Sequence, residues 1–208
     1  MNQKNTLGLN NCFLDLDDPI ELFKVWMDEA KKSEPNDPNA LSLATSNKDN
    51  FPSVRMVLLK DFNPNGFVFY TNLKSQKGKE LKENPKAAMC FHWKSLLRQV
   101  RINGELTQIA DEEADQYYNS RAYESRIGAW ASKQSTILNN RDELINSIKE
   151  YKDKYNDKNK VPRPSHWSGW NLSPLSIEFW LDGNNRMHER LKYAKDSSGQ
   201  WIKSLLSP

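Results

Sequence analysis

Ala40-Leu41-Ser42-Leu43-Ala44-Thr45, then Val54-Arg55-Met56-Val57-Leu58-Leu59, then Phe67-Val68-Phe69-Tyr70-Thr71 are three short strand-like runs in quick succession, and they decide the fold. Asn47-Lys48-Asp49-Asn50 joins the first two, and Asn63-Pro64-Asn65-Gly66 precedes the third with an Asn-Gly pair that favours a tight turn. Hairpins in series imply antiparallel pairing.

Working outward, the breaker Glu34-Pro35-Asn36-Asp37-Pro38 separates these strands from an upstream helix. That helix opens at Asp17-Asp18-Pro19, with an aspartate as cap and proline in the first turn, and carries the stripe Ile20, Phe23, Trp26, Met27. Downstream, Ser75–Glu83 reads as a short helix, and Ala87–Trp93 and Gln99–Ile109 as strands. One long helix is expected over roughly 111–124, with Asp111, Glu112 and Glu113 at its positive end, and another over roughly 139–155. The Lys/Asp-rich stretch from Lys152 to Lys160 reads as a solvated helix end, and Pro162, Pro164 and Pro174 punctuate a return to strands ending near Trp201-Ile202. The expected fold class is α+β: a barrel-like sheet of mainly antiparallel strands with flanking helices. No repeat or linker divides the chain. An irregular arm over 1–17 and a single domain over 18–208 are expected.

At 208 residues, 37% of them hydrophobic, the chain can bury a sizeable core. A net charge of +3 is too small to indicate a nucleic-acid partner. Its arginines start only at Arg55, several within apolar or aromatic stretches, which suits small phosphorylated ligands. Cys12 and Cys90 form neither a disulfide framework nor a metal-type spacing. The polar start is no secretory signal, and no run approaches the ~18 apolar residues of a membrane span, so a cytoplasmic protein is expected. GxGxxG, P-loop and GxSxG motifs are absent, which disfavours classical dinucleotide folds, NTPases and α/β-hydrolases.

Several constellations carry chemistry. Tyr117, Arg121 and Ser125 recur every four residues, so one helix face would present a phenol, a guanidinium and a hydroxyl, a plausible phosphate cradle. On spacing alone an exposed polar face fits as well. Arg55 and Lys60 bound an apolar strand but have opposite parity, so they would serve different subsites unless a bulge intervenes. Tyr70-Thr71 followed by Ser75-Gln76-Lys77-Gly78 clusters donors at a helix N-terminus, as an anion or an ordinary cap requires. Gln99 and Gln134-Ser135 are amides and a hydroxyl beside apolar residues. Arg186, His188 and Arg190 follow the strand-like run Leu175–Leu181 across Asp182-Gly183-Asn184-Asn185. As a strand they would project together and call for an anion. His92 reads as facing water and His166 as structural, and neither belongs to a metal-ligand set.

Taken in order, Arg55–Lys60, Phe69–Asn72, Arg98-Gln99-Val100, Ser120-Arg121 through Ser125, Ile127–Ser135, Ile177–Trp180 and Arg186–Arg190 resemble the pyridoxamine 5′-phosphate oxidase family. The likeness runs from about residue 18 to the end. It implies an FMN-binding split β-barrel that forms a homodimer, residues 18–208 including a C-terminal dimerisation region. It also implies oxidation of pyridoxamine 5′-phosphate and pyridoxine 5′-phosphate to pyridoxal 5′-phosphate, with O₂ as acceptor and hydrogen peroxide as product.

By resemblance FMN would be held by Arg55, Met56, Val57, Leu58, Leu59, Lys60, Tyr70, Thr71, Gln76, Lys77, Gln99, Gln134, Ser135, Trp180 and Arg190, drawn from both subunits. The substrate would be held by Lys60, Tyr117, Arg121 and Ser125, with Arg186 and His188 as catalytic residues against its ring. Family members commonly carry a cation where this chain has Gln76, so one flavin-phosphate contact would be either weaker or replaced by Lys74 or Lys79. The chain also lacks the arginine usual before the final Leu-x-Pro and any Arg or Tyr before residue 55. Competing readings are a split-barrel flavin oxidase of another substrate and a non-catalytic flavin- or pyridoxal-phosphate-binding protein.

Overall fold

The computed structural model describes residues 5–208. Helix α1 (Pro19–Ser33) starts where Asp18 accepts from the Ile20 amide at 2.8 Å, and Pro19 occupies a position whose N–H has no helical partner. Ile20, Phe23, Trp26 and Met27, the expected stripe, are all buried.

The strands are β1 (Ala40–Ser46), β2 (Pro52–Leu58), β3 (Asp61–Asn63), β4 (Gly66–Asn72), β5 (Lys86–Trp93), β6 (Arg98–Gln108), β7 (Trp167–Leu181), β8 (Glu189–Lys195) and β9 (Trp201–Leu205). All pair antiparallel in the order β2-β1-β5-β6-β7-β4-β3, with β8 on β7 and β9 on β8. The hairpin of β1 and β2 is present, but the second expected one, between β2 and β4, is corrected: these strands lie far apart in the sheet order, and the Asn63–Gly66 turn joins β4 to the short, unexpected β3 instead.

β7 curls the sheet. Its first part pairs with β4 (Phe67↔Leu172 to Asn72↔Trp167) and its second with β8 (Ser176↔Ala194 to Leu181↔Glu189), while β6 runs along both. The change occurs around Pro174, opposite a register shift at Asn103/Gly104. A Cβ on Gly104 would lie 2.2 Å from the Ser173 carbonyl oxygen, so only glycine allows the two backbones to approach there. The result is a half-barrel with α1 packed into it. Phe23 sits edge-on to Phe62, Phe67 and Phe91 at 4.9, 5.0 and 5.1 Å.

Four helices flank the sheet: α2 (Gln76–Glu83), α3 (Asp111–Ser120), α4 (Tyr123–Ala131) and α5 (Arg141–Lys154). The helix expected over 111–124 is therefore two. Arg121 and Ala122 are extended (ψ 150 and 144). Buried Tyr118 donates to the Arg126 carbonyl at 2.9 Å, a contact that a continuous helix would place out of reach. Of the expected arm, residues 1–4 lie outside the described residues, and 5–17 are mostly turns fastened to the C-terminal strands by Asn10 N–H to Glu189 (2.5 Å), Tyr193 to the Leu16 carbonyl (2.7 Å) and Lys203 to Asp15 (2.7 Å).

Candidate active site

The ends of β2 and β4, the start of α2 and the α3–α4 break surround a cleft of about 670 Å³. One wall is aromatic. Tyr70 stacks on Tyr117 (4.0 Å, 19°) and on Trp167 (5.2 Å, 10°), giving a flat surface for a planar ligand. Burial is the first of the effects that push the Tyr70 phenol up to about 12, so it stays a neutral hydroxyl.

Among the described residues, Lys77 and Arg121 in the cleft have no acidic partner. Ser75 caps α2, accepting from the Gly78 amide at 3.3 Å, and Lys77 in the first turn is buried. Its ammonium donates to Thr71 Oγ1 (3.1 Å), Gln134 Oε1 (3.1 Å) and Ser75 Oγ (3.5 Å), all neutral acceptors. Burial, then the charge of Arg55, lowers its pKa. Arg121 lies over the Trp167 ring at 4.6 Å, and its Nη1 is buried without a hydrogen-bond partner. Burial lowers its pKa too. A buried cation left unpaired is costly, and an anion in the cleft would relieve both.

The cleft gathers Met56, Val57, Leu58, Lys60, Tyr70, Thr71, Lys77, Tyr117, Arg121, Ser125 and Gln134 from the residues singled out in the sequence. Tyr117, Arg121 and Ser125 meet there although they share no helix, because the break at Arg121-Ala122 turns α4 back toward the same space. Asn72, Ala122, Gly128, Ala129, Ser132 and Trp167 also line the cleft and were not anticipated. Trp167 carried a signal, as the first aromatic after the proline-marked return to strand.

Other candidates stand apart. Arg55 faces β1 and α2, donating to the Leu43 carbonyl at 3.2 Å and pairing with Glu80 at 3.2 Å. Leu59 is core, and Ser135 is exposed with φ 68. Exposed Gln76 turns its amide to Glu80 at 2.9 Å rather than outward.

Gln99, Trp180 and Arg190 form a row across β6, β7 and β8. Arg190 is held by Glu178 (2.9 and 2.8 Å) and by the Ser207 carbonyl (2.8 Å). His188 lies 4.7 Å from the Trp180 ring, with Nδ1 accepting from Gly183 N–H at 3.2 Å and 3.0 Å from Asp182.

The expected strand bearing Arg186, His188 and Arg190 is corrected. Residues Asn184–Arg186 make a 3-10 turn and β8 begins only at Glu189. Asn185 and Arg186 adopt left-handed φ of 56 and 65, and a Cβ on Gly183 would sit 2.0 Å from the Met187 carbonyl. The turn is too tight to be extended, and the three side chains do not share a strand face.

His92 is exposed, and a His166 ring nitrogen lies 3.0 Å from the Ala129 carbonyl oxygen, a structural contact. Burial pushes the Cys12 thiol up to about 11 and raises Cys90, so neither is an activated nucleophile. Among the described residues no group of three His, Cys, Asp or Glu could hold a metal, and no helix is long and apolar enough to cross a membrane.

Comparison with known proteins agrees with this geometry. Residues 27–155 match the family described as pyridoxamine 5′-phosphate oxidase, and 167–208 match a pyridoxine 5′-phosphate oxidase C-terminal dimerisation region. A pyridoxine/pyridoxamine 5′-phosphate oxidase of Pelagibacter ubique is 76% identical over 208 residues, covering 100% of both chains. One from Allorhizobium ampelinum is 54% identical over 197 residues, covering 94% of this chain and 95% of that one. PhzG from Burkholderia lata, solved with tetrahydrophenazine-1-carboxylic acid, superposes with a TM-score of 0.88 at 29% identity over 95% of this chain and 96% of that one. An FMN-binding protein from Nostoc punctiforme shares the fold, with a TM-score of 0.73 at 15% identity over 92% of this chain and 98% of that one. With its half-barrel, its aromatic cleft and matches along nearly its whole length, the chain belongs to the pyridoxamine 5′-phosphate oxidase family.

Proposed function

We propose that the chain oxidises pyridoxamine 5′-phosphate and pyridoxine 5′-phosphate to pyridoxal 5′-phosphate, using FMN and O₂ and releasing hydrogen peroxide. The observation that carries this reading is a buried ammonium, Lys77, and a half-buried guanidinium, Arg121, with no acidic partner among the described residues, in one cleft walled by stacked rings. Two anionic groups and at least one flat ring system fit that arrangement.

Lys77, Thr71, the α2 N-terminus and Arg55, whose charge acts on Lys77 from beside the cleft, would hold the FMN phosphate, and Gln134 would contact the flavin ring. Lys60, Tyr117, Arg121 and Ser125 would hold the substrate phosphate and orient the rest of the molecule by that fixed end. Bound FMN supplies the two-electron acceptor, regenerated by O₂. The aromatic wall would shield one side of the bound molecule, while Tyr70 remains a neutral hydroxyl.

Gln99, Trp180, Arg186, His188 and Arg190 lie outside the cleft of their own subunit. In this reading they complete the partner's site in a homodimer, in accord with the match of 167–208 to a dimerisation region. Arg186 would orient the substrate and His188 would tune its hydrogen bonding. The chain would act as one domain over 18–208 with a short N-terminal arm.

PhzG supplies the alternative of a non-phosphorylated substrate, which Arg121 and Lys60 disfavour because a phosphate would engage both. The purified chain should be yellow and should generate peroxide and aldehyde from pyridoxamine 5′-phosphate in air. Flavin that stays oxidised when the substrate is added anaerobically would rule this activity out.

A further inference from the structure

Behind the Lys77 end of the cleft lies a carboxylate that the reading above leaves unused. Glu80 on α2 is only 6% exposed. It accepts from Thr45 Oγ1 on β1, from Ser53 Oγ on β2 (2.9 and 2.8 Å), from Gln76 Nε2 (2.9 Å) and from Arg55 Nη2 (3.2 Å). Burial works to raise its pKa, but the hydrogen bonds from Thr45, Ser53 and Gln76 and the charge of Arg55 outweigh that and lower it.

Arg55 is correspondingly constrained. Nη1 donates to the Leu43 carbonyl and Thr45 Oγ1, and Nη2 to Ser53 Oγ and Glu80 Oε2. A guanidinium has five N–H groups, and among the described residues the Nε–H alone meets no acceptor, so it is the group a ligand could engage.

We propose that Glu80 is a positioning residue for the flavin phosphate, acting through Arg55, with Gln76 holding Glu80 in turn. The proposal rests on the FMN reading above. Two effects of Glu80 oppose each other. Its charge repels a phosphate, yet it fixes a long cationic side chain that would otherwise have to be ordered when the ligand binds. It also offsets the crowding of Arg55 against Lys77, which contributes to the lowered lysine pKa. Because four donors, one of them cationic, already meet Glu80, the ordering effect prevails and removing the charge weakens phosphate binding.

The test uses apoprotein titrated with FMN and with riboflavin, which lacks the phosphate, followed by flavin fluorescence. Glu80→Gln, which keeps the shape, should weaken FMN by about tenfold, a change of ~1.4 kcal/mol, and leave riboflavin within about twofold. Gln76→Leu, at an exposed position, should shift FMN in the same direction by a smaller factor and stands in if Glu80→Gln does not fold. In an Arg55→Met background, Glu80→Gln should add no further loss. FMN binding that is unchanged or tighter in both variants overturns the proposal, as does an equal loss for FMN and riboflavin. A wild-type chain that binds neither flavin overturns the FMN reading itself, an outcome distinct from the first two.

Discussion

Arg121 is the residue on which the proposed substrate contact depends most. Among the described residues its Nη1 has no partner, and its guanidinium rests on Trp167, so a bound phosphate would gain a charge-assisted contact there. Arg121→Ala should raise KM for pyridoxamine 5′-phosphate by roughly 10- to 100-fold, the equivalent of one or two charge-assisted bonds. Flavin content, read from absorbance, should be unchanged. Lys77 makes a prediction in pH. Burial and Arg55 hold its pKa below the ordinary 10.5, so its charge is lost at lower pH than that of a free lysine. FMN affinity should fall as pH rises through that depressed pKa, and Lys77→Met should flatten the profile. The sign for stability is opposite. Between the two pKa values the unfolded chain binds more protons, so the apoprotein gains stability from this group as pH rises.

At the scale of elements, α1 and β7 organise the molecule. Phe23 is fully buried and touches rings from three strands, so Phe23→Ala should cost about 3–5 kcal/mol. The check is the denaturant midpoint, with an unchanged m-value. The start of α1 was legible because Asp18-Pro19 and a 3.6-residue stripe agree with each other. The β1–β2 hairpin was legible for the same kind of reason, turn chemistry agreeing with apolar runs, whereas the three-residue β3 that takes the place of β2 beside β4 is too short to leave a pattern. The α3–α4 break was not, since Arg121-Ala122 contains no glycine or proline. It depends on Tyr118 and Arg126 meeting eight residues apart. The turn before β8 was also misread, although Asp182-Gly183 marked its start. Asn185 and Arg186 have positive φ in an exposed turn, and nothing in the sequence marks Arg186 for that conformation.

For the whole molecule, the edge strand β2 leaves Val54 (68%) and Met56 (63%) exposed on the face that also bears Leu58, beside Phe51 (76%). Such an apolar strip on an edge strand suits burial against a second subunit. Val54→Asp, away from the cleft lining, should shift the protein toward monomer in analytical ultracentrifugation and lower its flavin content if the partner completes the site. The sequence by itself determined the first antiparallel hairpin, the capped first helix and the residue types of the cleft, because turn chemistry and periodicity act over a few neighbouring residues. Tertiary structure alone decided which of those residues meet. Thr71, Lys77, Arg121, Gln134 and Trp167 converge from five separate segments, whereas Arg186, His188 and Arg190 lie elsewhere despite their proximity in sequence. It also decided that Gln76 serves a buried carboxylate rather than the cleft, since the curl of the sheet brings β1 and β2 against α2. Contacts between residues dozens of positions apart leave no periodic trace in the chain, and those contacts are the ones that build the site.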